Sequence, residues 1–530
     1  MRIIIIGAGP GGYETALLAA KRGVEVVLIE SGHVGGTCLN EGCIPTKSFC
    51  KNAQLLDTMR EASAFGISDL SYSFDFSAVK DRKNAVVDQL RGGVETLLTH
   101  KFITLVRGRA EFKDAHTVIV RPDAVSVALP TDVPTENHAD AVQASGAYPY
   151  APAPRAAQHQ TDCTCTASSE EAMNGEVVPG TEVQEFTGDY IIIATGSVSA
   201  SLPIPGADLP GVLTSREILD IEDIPQRLCV IGGGVIGLEF ASIFRSFGSE
   251  VTVIEYCKDI LPRFDTDLAK RLKQSLSKRG IEINTQSQVL SITSVDGLQP
   301  EQNASADYVT SSADNVSEGN RCLQVKYVRK GKEEAVFADK VLMAVGRKAN
   351  LASLNLSDIG IEYTPKGIVV NESMQTSLPH IYAIGDINGK TMLAHAATFQ
   401  GIVALDHILG QTNDIDLSIM PAAVFTSPEA ATVGMTEDEC KEKGIPVKCL
   451  KSFFRANGKA VTMGETDGFC KLVVEDSGRI LGCHLYGPHA SDIIQEITAL
   501  INRKASLTDL KAIIHTHPTL TEILQSAAHQ

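Results

Sequence analysis

No apolar run in this 530-residue chain approaches the roughly 20 residues that a membrane-spanning helix needs. Nor is there a surplus of positive charge. Lys and Arg number 47 against 64 Asp and Glu, a net charge of −17. That balance argues against nucleic acid or an anionic membrane surface as the main partner. Cysteine is thinly spread, 12 residues over the whole length, so the dense disulfide framework of small secreted domains is excluded. The start of the chain is short of leader character. Met1 and Arg2 run directly into the apolar residues 3–6 and a glycine turn, too short for a signal-peptide core. These absences lead us to expect a cytoplasmic protein, in a compartment where a disulfide is usually catalytic or sensing. What is present, 43% hydrophobic and 21% charged residues, is ordinary globular composition. The length suggests roughly three or four domains.

Residues 3–6 are four isoleucines, a run that suits a buried parallel strand. Gly7, Gly9 and Gly12 follow at G-x-G-x-x-G spacing, an Ala/Leu-rich helical stretch covers 15–22, and a second strand over 24–29 ends in Glu30. A lone glycine pattern is weak. One that follows a strand, opens a helix and has an acid 18 residues past its last glycine is a strong dinucleotide fingerprint. The glycines let backbone N–H groups approach a pyrophosphate, and the acid can accept from a ribose diol. The unit then recurs. Gly232 follows Gly7, Gly237 follows Gly12 and Glu255 follows Glu30, each by 225 residues. Two such units imply two dinucleotides or one fold used twice. Three further apolar runs end in small-residue turns, at Thr195-Gly196-Ser197, at Gly346-Arg347 and at Gly385-Asp386. Such turns suit a ligand or tight packing equally.

Cys38 and Cys43 stand five apart, with Pro45 and Lys47 behind them. A disulfide there would close a very small ring, which constrains little of the unfolded chain and is a poor staple. Such a bond is better suited to opening and closing, although two inert buried thiols fit the spacing as well. Near the C-terminus, His517 stands five residues before Glu522. Thr519 and Glu522 could form a capping box, or Glu522 could orient His517 as a base; the string favours neither. Residues 122–186 are rich in Ala, Pro, Thr and polar groups and read as an inserted loop; 297–320 reads as a second polar insertion. His159, Cys163 and Cys165 in the first insertion make only a weak metal candidate, and no metal is expected.

Taken together, these residues resemble the flavin-dependent pyridine nucleotide–disulfide oxidoreductases. Within them, residues 35–47 and 515–522 are most similar to the branch that oxidises protein-bound dihydrolipoamide. The resemblance spans nearly the whole chain apart from the two insertions. It implies an α/β fold with two Rossmann-like dinucleotide-binding domains, for FAD and NAD, plus a C-terminal α+β dimerisation domain. The implied boundaries are 1–197 for FAD (with 122–186 inserted), 198–346 for NAD, 347–418 for a central domain completing the FAD site, and 419–530 for the interface. By the same resemblance Gly7, Gly9, Gly12 and Glu30 hold the FAD pyrophosphate and ribose. Ala110, Thr195, Gly196, Ser197, Asp386, Met392, Leu393, Ala394 and His395 would line the rest of FAD. Lys47, paired with Glu239, would lie beside the flavin's reactive nitrogen. Gly232, Gly234, Gly237, Glu239, Glu255, Val289 and Gly346 would hold NAD.

Cys38 is implied as the exchange thiol and Cys43 as the flavin-facing one. His517 and Glu522 would complete the partner subunit's site in a homodimer. The implied partners are lipoyl domains of 2-oxo acid dehydrogenase acyltransferases, or the lipoyl protein of glycine cleavage. Two rivals are a glutathione- or mercuric-reductase-like enzyme and a flavin-binding protein without catalysis. The last cysteine is Cys483, so the C-terminal cysteine pair of mercuric reductases is missing. Glu255 would repel the 2′-phosphate of NADP. Ala349 stands where the family usually has proline.

Overall fold

The computed structural model describes residues 1–122, 177–178, 182–296, 321–352 and 354–530. The isoleucine run becomes strand Arg2–Ile6, at the centre of a six-stranded parallel sheet. The strand order is Ile381–Ala383, Tyr190–Ile193, Arg2–Ile6, Glu25–Glu30, Ile103–Arg107, Val177–Val178. Ile3 pairs with Val26 on one side and Tyr190 on the other, and Ile3, Ile4 and Ile5 are fully buried. Burial on both faces is why residues 3–6 are all apolar and do not alternate. Helix Pro10–Lys21 follows, with Pro10 in its first turn, where a missing N–H costs nothing. Helix Ala394–Ile408 packs on the same sheet in one core with it, through Ala404, Leu405 and Ile408.

The second glycine unit builds a five-stranded parallel sheet in the order Val212–Leu213, Lys340–Met343, Arg227–Ile231, Glu250–Ile254, Ile281–Asn284. A three-stranded antiparallel sheet, Ser287–Asp296, Arg321–Arg329 and Lys332–Ala338, flanks it. The C-terminal region is a five-stranded antiparallel sheet in the order Ala422–Val424, Glu429–Gly434, Ile480–Gly487, Phe469–Glu475, Val447–Phe453. Helices Ala490–Asn502 and Glu522–Ala528 cover it, burying Ile493, Ile494, Ile497, Ile523 and Leu524.

The boundary expected for the first insertion needs correction. Gln184–Thr187 is a strand that pairs antiparallel with Thr117–Arg121, and Val177–Val178 pairs in parallel with Leu105 and Val106. The inserted stretch therefore ends before 177. Its polar look misled because an edge strand with one wet face has few large apolar residues. The weak metal candidate at His159, Cys163 and Cys165 lies outside the described residues, as does 297–320. Among the described residues no group of three His, Cys, Asp or Glu could hold a metal, and no helix is long and apolar enough to cross a membrane.

Candidate active site

Both glycine turns, the two cysteines and the small-residue turns open onto one cavity of about 2490 Å³. Gly7 has φ +103°, and a side-chain carbon there would lie 2.4 Å from the Ala194 carbonyl oxygen, so only glycine permits this turn. Glu30 accepts from the N–H groups of Ala8 (2.6 Å) and Gly32 (2.7 Å), and its burial raises its pKa. Glu255 repeats the arrangement, accepting from Gly233 (2.5 Å) and from Cys257 (2.6 Å). Each acid thus braces its own glycine turn while standing in the cavity wall. Gly9, Gly232, Gly234, Ala110, Val289 and Gly346 also line the cavity. Gly12 and Gly237 stand behind the lining, at the start of their helices. A side-chain carbon on Gly12 would sit 1.8 Å from the Gly7 carbonyl oxygen, and one on Gly237 would sit 2.0 Å from that of Gly232. The last glycine of each motif serves helix–turn packing.

Thr195, Gly196 and Ser197 line the cavity beside Asp386, as do Met392, Leu393, Ala394 and His395. The Ser197 hydroxyl donates to Asp386 (2.5 Å), and Arg347 donates to the Ser197 hydroxyl (2.7 Å) and carbonyl (2.8 Å). Burial raises the Asp386 pKa against the lowering effect of Ser197 and Arg347. The imidazole of His395 bonds the Pro421 carbonyl at 2.9 Å, which anchors it at the cavity rim.

Cys38 lies in the short helix Gly36–Glu41, and Cys43 is the first residue of helix Cys43–Arg60. Both thiols are free, and both line the cavity. They share one proton unequally. The hydrogen bond from the Cys38 thiol lowers Cys43 to about 7, with Lys47 adding to the effect. The same bond, with burial, pushes the Cys38 thiol well above its ordinary range. The helix N-terminus beneath Cys43 favours the same anion. Lys47, one turn on, meets both carboxylate oxygens of Glu239, at 3.0 and 2.9 Å. Burial works against the charge on Lys47, but Glu239 outweighs it and raises the pKa. Glu239 also accepts from the Phe425 N–H (3.0 Å), and the Phe425 ring lies under Lys47 at 4.4 Å.

His517 and Glu522 pair with each other, Nδ1 to Oε1 at 2.9 Å, but do not line the cavity that holds the cysteines. The His517 side chain is 78% exposed. Glu522 opens its helix, and its second oxygen accepts from the Thr519 N–H (2.8 Å). Thr519 is not the N-cap; that position is Thr521, whose side chain makes no cap bond. The capping box is thus half formed: Glu522 accepts from the Thr519 N–H, the Thr519 hydroxyl pairs with that of Thr521, and the same carboxylate holds His517.

A family model described as pyridine nucleotide-disulphide oxidoreductase matches residues 1–401, and its dimerisation-domain model matches 420–528. The chain belongs to the pyridine nucleotide-disulphide oxidoreductase family. A dihydrolipoyl dehydrogenase from Bacillus subtilis is 36% identical over 99% of this chain and 97% of the relative. One from Haloferax volcanii is 35% identical over 99% and 95%. Among solved structures, the HOCl-induced flavoprotein disulfide reductase RclA of Escherichia coli aligns over 100% of this chain and 99% of its own, with TM-score 0.75 and 26% identity. LpdA of Mycobacterium tuberculosis shares the fold at TM-score 0.79 and 23% identity, over 100% and 99%.

The family binds FAD and a pyridine nucleotide. The residues present fit both, since two glycine turns that tolerate no side chain at Gly7 or Gly232 face one continuous cavity. Sequence reasoning missed Arg347 and Phe425 as site residues. Arg347 follows a flagged glycine and was within reach of a closer reading. Phe425 had no local signal, because its contacts join it to residues 47 and 239 across the fold.

Proposed function

We propose that this oxidoreductase is a dihydrolipoyl dehydrogenase. It would oxidise protein-bound dihydrolipoamide to lipoamide through the Cys38–Cys43 disulfide and FAD, with NAD+ as final acceptor. The observation that carries the reading is the exposed His517 held at 2.9 Å by Glu522, in the dimerisation domain and off its own thiol cavity. A dithiol substrate needs a base, because little thiolate exists at neutral pH. With Nδ1–H donating to Glu522, Nε2 carries the free lone pair and takes the substrate proton. In the homodimer that base would serve the partner subunit's cysteines.

The substrate thiolate attacks Cys38 of the oxidised pair, and the Cys43 sulfur leaves as thiolate. The second substrate thiol then displaces Cys38, which closes lipoamide and leaves the enzyme dithiol reduced. Cys38 keeps the proton and Cys43 the charge, the division that their pKa directions describe. Lys47, fixed by Glu239, holds a positive charge near that thiolate. FAD, which Gly7, Gly9, Glu30 and Asp386 would hold, would supply the two-electron chemistry that links the reduced thiol pair to a nicotinamide. Glu255 supports NAD over NADP, since a carboxylate in the cavity wall repels a 2′-phosphate. The lipoyl partners proposed are those of 2-oxo acid dehydrogenase complexes or of the glycine cleavage system.

The likeness to RclA keeps a second reading in view, a disulfide reductase acting on another oxidant. Steady-state comparison separates the two. Dihydrolipoamide with NAD+ should give a higher kcat/KM than glutathione disulfide or mercuric ion with NADPH, and Glu255→Gln should narrow the NAD preference. Preference for NADPH with another oxidant would favour the second reading.

A further inference from the structure

The cysteine-bearing helix Cys43–Arg60 and the nucleotide-domain helix Val235–Phe247 are tied by polar contacts at two places. One is Lys47–Glu239. The other lies ten residues along the first helix, at Asp57. Asp57 Oδ2 accepts from the Ser246 hydroxyl (2.7 Å) and from Arg279 Nη2 (2.6 Å). The other arm of the Arg279 guanidinium donates to the Ser242 hydroxyl (2.8 Å) and to the Ser427 carbonyl (2.9 Å). Ser427 is two residues from Phe425, whose N–H holds Glu239.

One planar group therefore joins three segments: the cysteine helix, the nucleotide-domain helix and the loop that braces Glu239. The two helices also pack through apolar side chains, Phe49 against Phe247 among them, and a single polar contact on that packing would act as a pivot. Two contacts ten residues apart, about 15 Å along a helix, fix both slide and rotation. Asp57, Ser242, Ser246 and Arg279 all lie outside the cavity lining, so they act on the chemistry only through neighbours that line it: Lys47, Glu239 and the Phe425 loop. We propose that Arg279, with Asp57, is a positioning residue of the redox centre: it sets the register of the two helices and so where Glu239 holds the Lys47 ammonium relative to Cys43. This role rests on the function proposed above.

The readout is the acidity of Cys43, whose titratable neighbours are Cys38, Lys47 and Glu239. In the reduced holoenzyme a thiolate against the flavin gives a long-wavelength absorbance band, which can be titrated with pH. Arg279→Gln should raise its midpoint by at least about half a unit, roughly threefold less thiolate below the midpoint. It should lower kcat more than it changes the KM for nucleotide. Arg279→Lys keeps the charge on Asp57 but loses the fork to Ser242 and Ser427, and should fall between. Asp57→Asn keeps the shape and removes the anion, and should move the midpoint the same way even where Arg279→Gln does not fold. A lower melting temperature with an unmoved midpoint in the folded variants would overturn the role. Absence of the band from the wild type would overturn the proposed function and this role with it.

Discussion

At the scale of single residues the site depends on how two thiols divide one proton. Cys43 is lowered to about 7 by the Cys38 thiol and Lys47, so it is an anion above that pH and neutral below it. The thiolate–flavin band of the reduced enzyme should therefore fade as pH drops through about 7. Cys38→Ser should keep a band and lose dihydrolipoamide turnover, whereas Cys43→Ser should lose both. Absorbance titration of the two variants checks this, and the opposite pattern would exchange their roles. Much of this chemistry was legible in the string, because Cys38, Cys43 and Lys47 share 10 residues of chain. Glu239 and Phe425 come from distant segments, and no local pattern places them against Lys47. Gly12 and Gly237 show the opposite limit. A motif names its glycines together, yet the first and last of each are required by close backbone approach within the fold, whereas a side-chain carbon on Gly9 or Gly234 would meet little or no protein.

At the scale of elements, the strands and glycine turns were readable because a fully buried parallel strand leaves an unbroken apolar run. How the nucleotide domain meets the interface domain was not readable. There Lys471, 2% exposed, leaves strand Phe469–Glu475 to meet Asp265 and Asp267 at 2.8 Å and Glu437 at 2.9 Å. Asp265 caps helix Thr266–Lys278, which follows the cavity-lining Arg263 and Phe264. Burial alone would raise Asp267, but Lys451 and Lys471 hold it down to about 2; Lys441, then Lys471, hold Glu437 at about 2. Both pKa values are depressed below the unfolded range. Their stabilising effect is thus fully present at neutral pH and lost as pH falls toward 2. Lys471→Met leaves these carboxylates without their buried cation and should cost about 3–5 kcal/mol at pH 7. Thermal unfolding should show the gap from wild type shrinking near pH 3, and an equal gap at both pH values would contradict the account.

At the scale of the whole molecule, the first insertion and the dimer carry the predictions. Val120 and Gln184 are neighbours across an antiparallel pair, so the chain leaves and re-enters the sheet close together. Replacing residues 123–176 with a short linker should leave FAD binding and dimer formation intact, because the cost of closing a chain segment changes only slowly with its length. Flavin content and sedimentation check this, and loss of either would make the insertion structural.

The dimer carries the central claim, that the thiols of one subunit work with His517 and Glu522 of the other. Cys38→Ser and His517→Ala homodimers should each be nearly inactive with dihydrolipoamide and NAD+; general-base loss alone is typically worth about 10²–10⁴-fold. After subunit exchange, half of the dimers are mixed, and one site in each mixed dimer has both the intact thiols and the intact base. The decisive measurement is dihydrolipoamide-dependent NADH formation by that exchanged mixture. The account predicts recovery of about one quarter of wild-type activity, as two-fold symmetry requires. No recovery once exchange has been verified would contradict it.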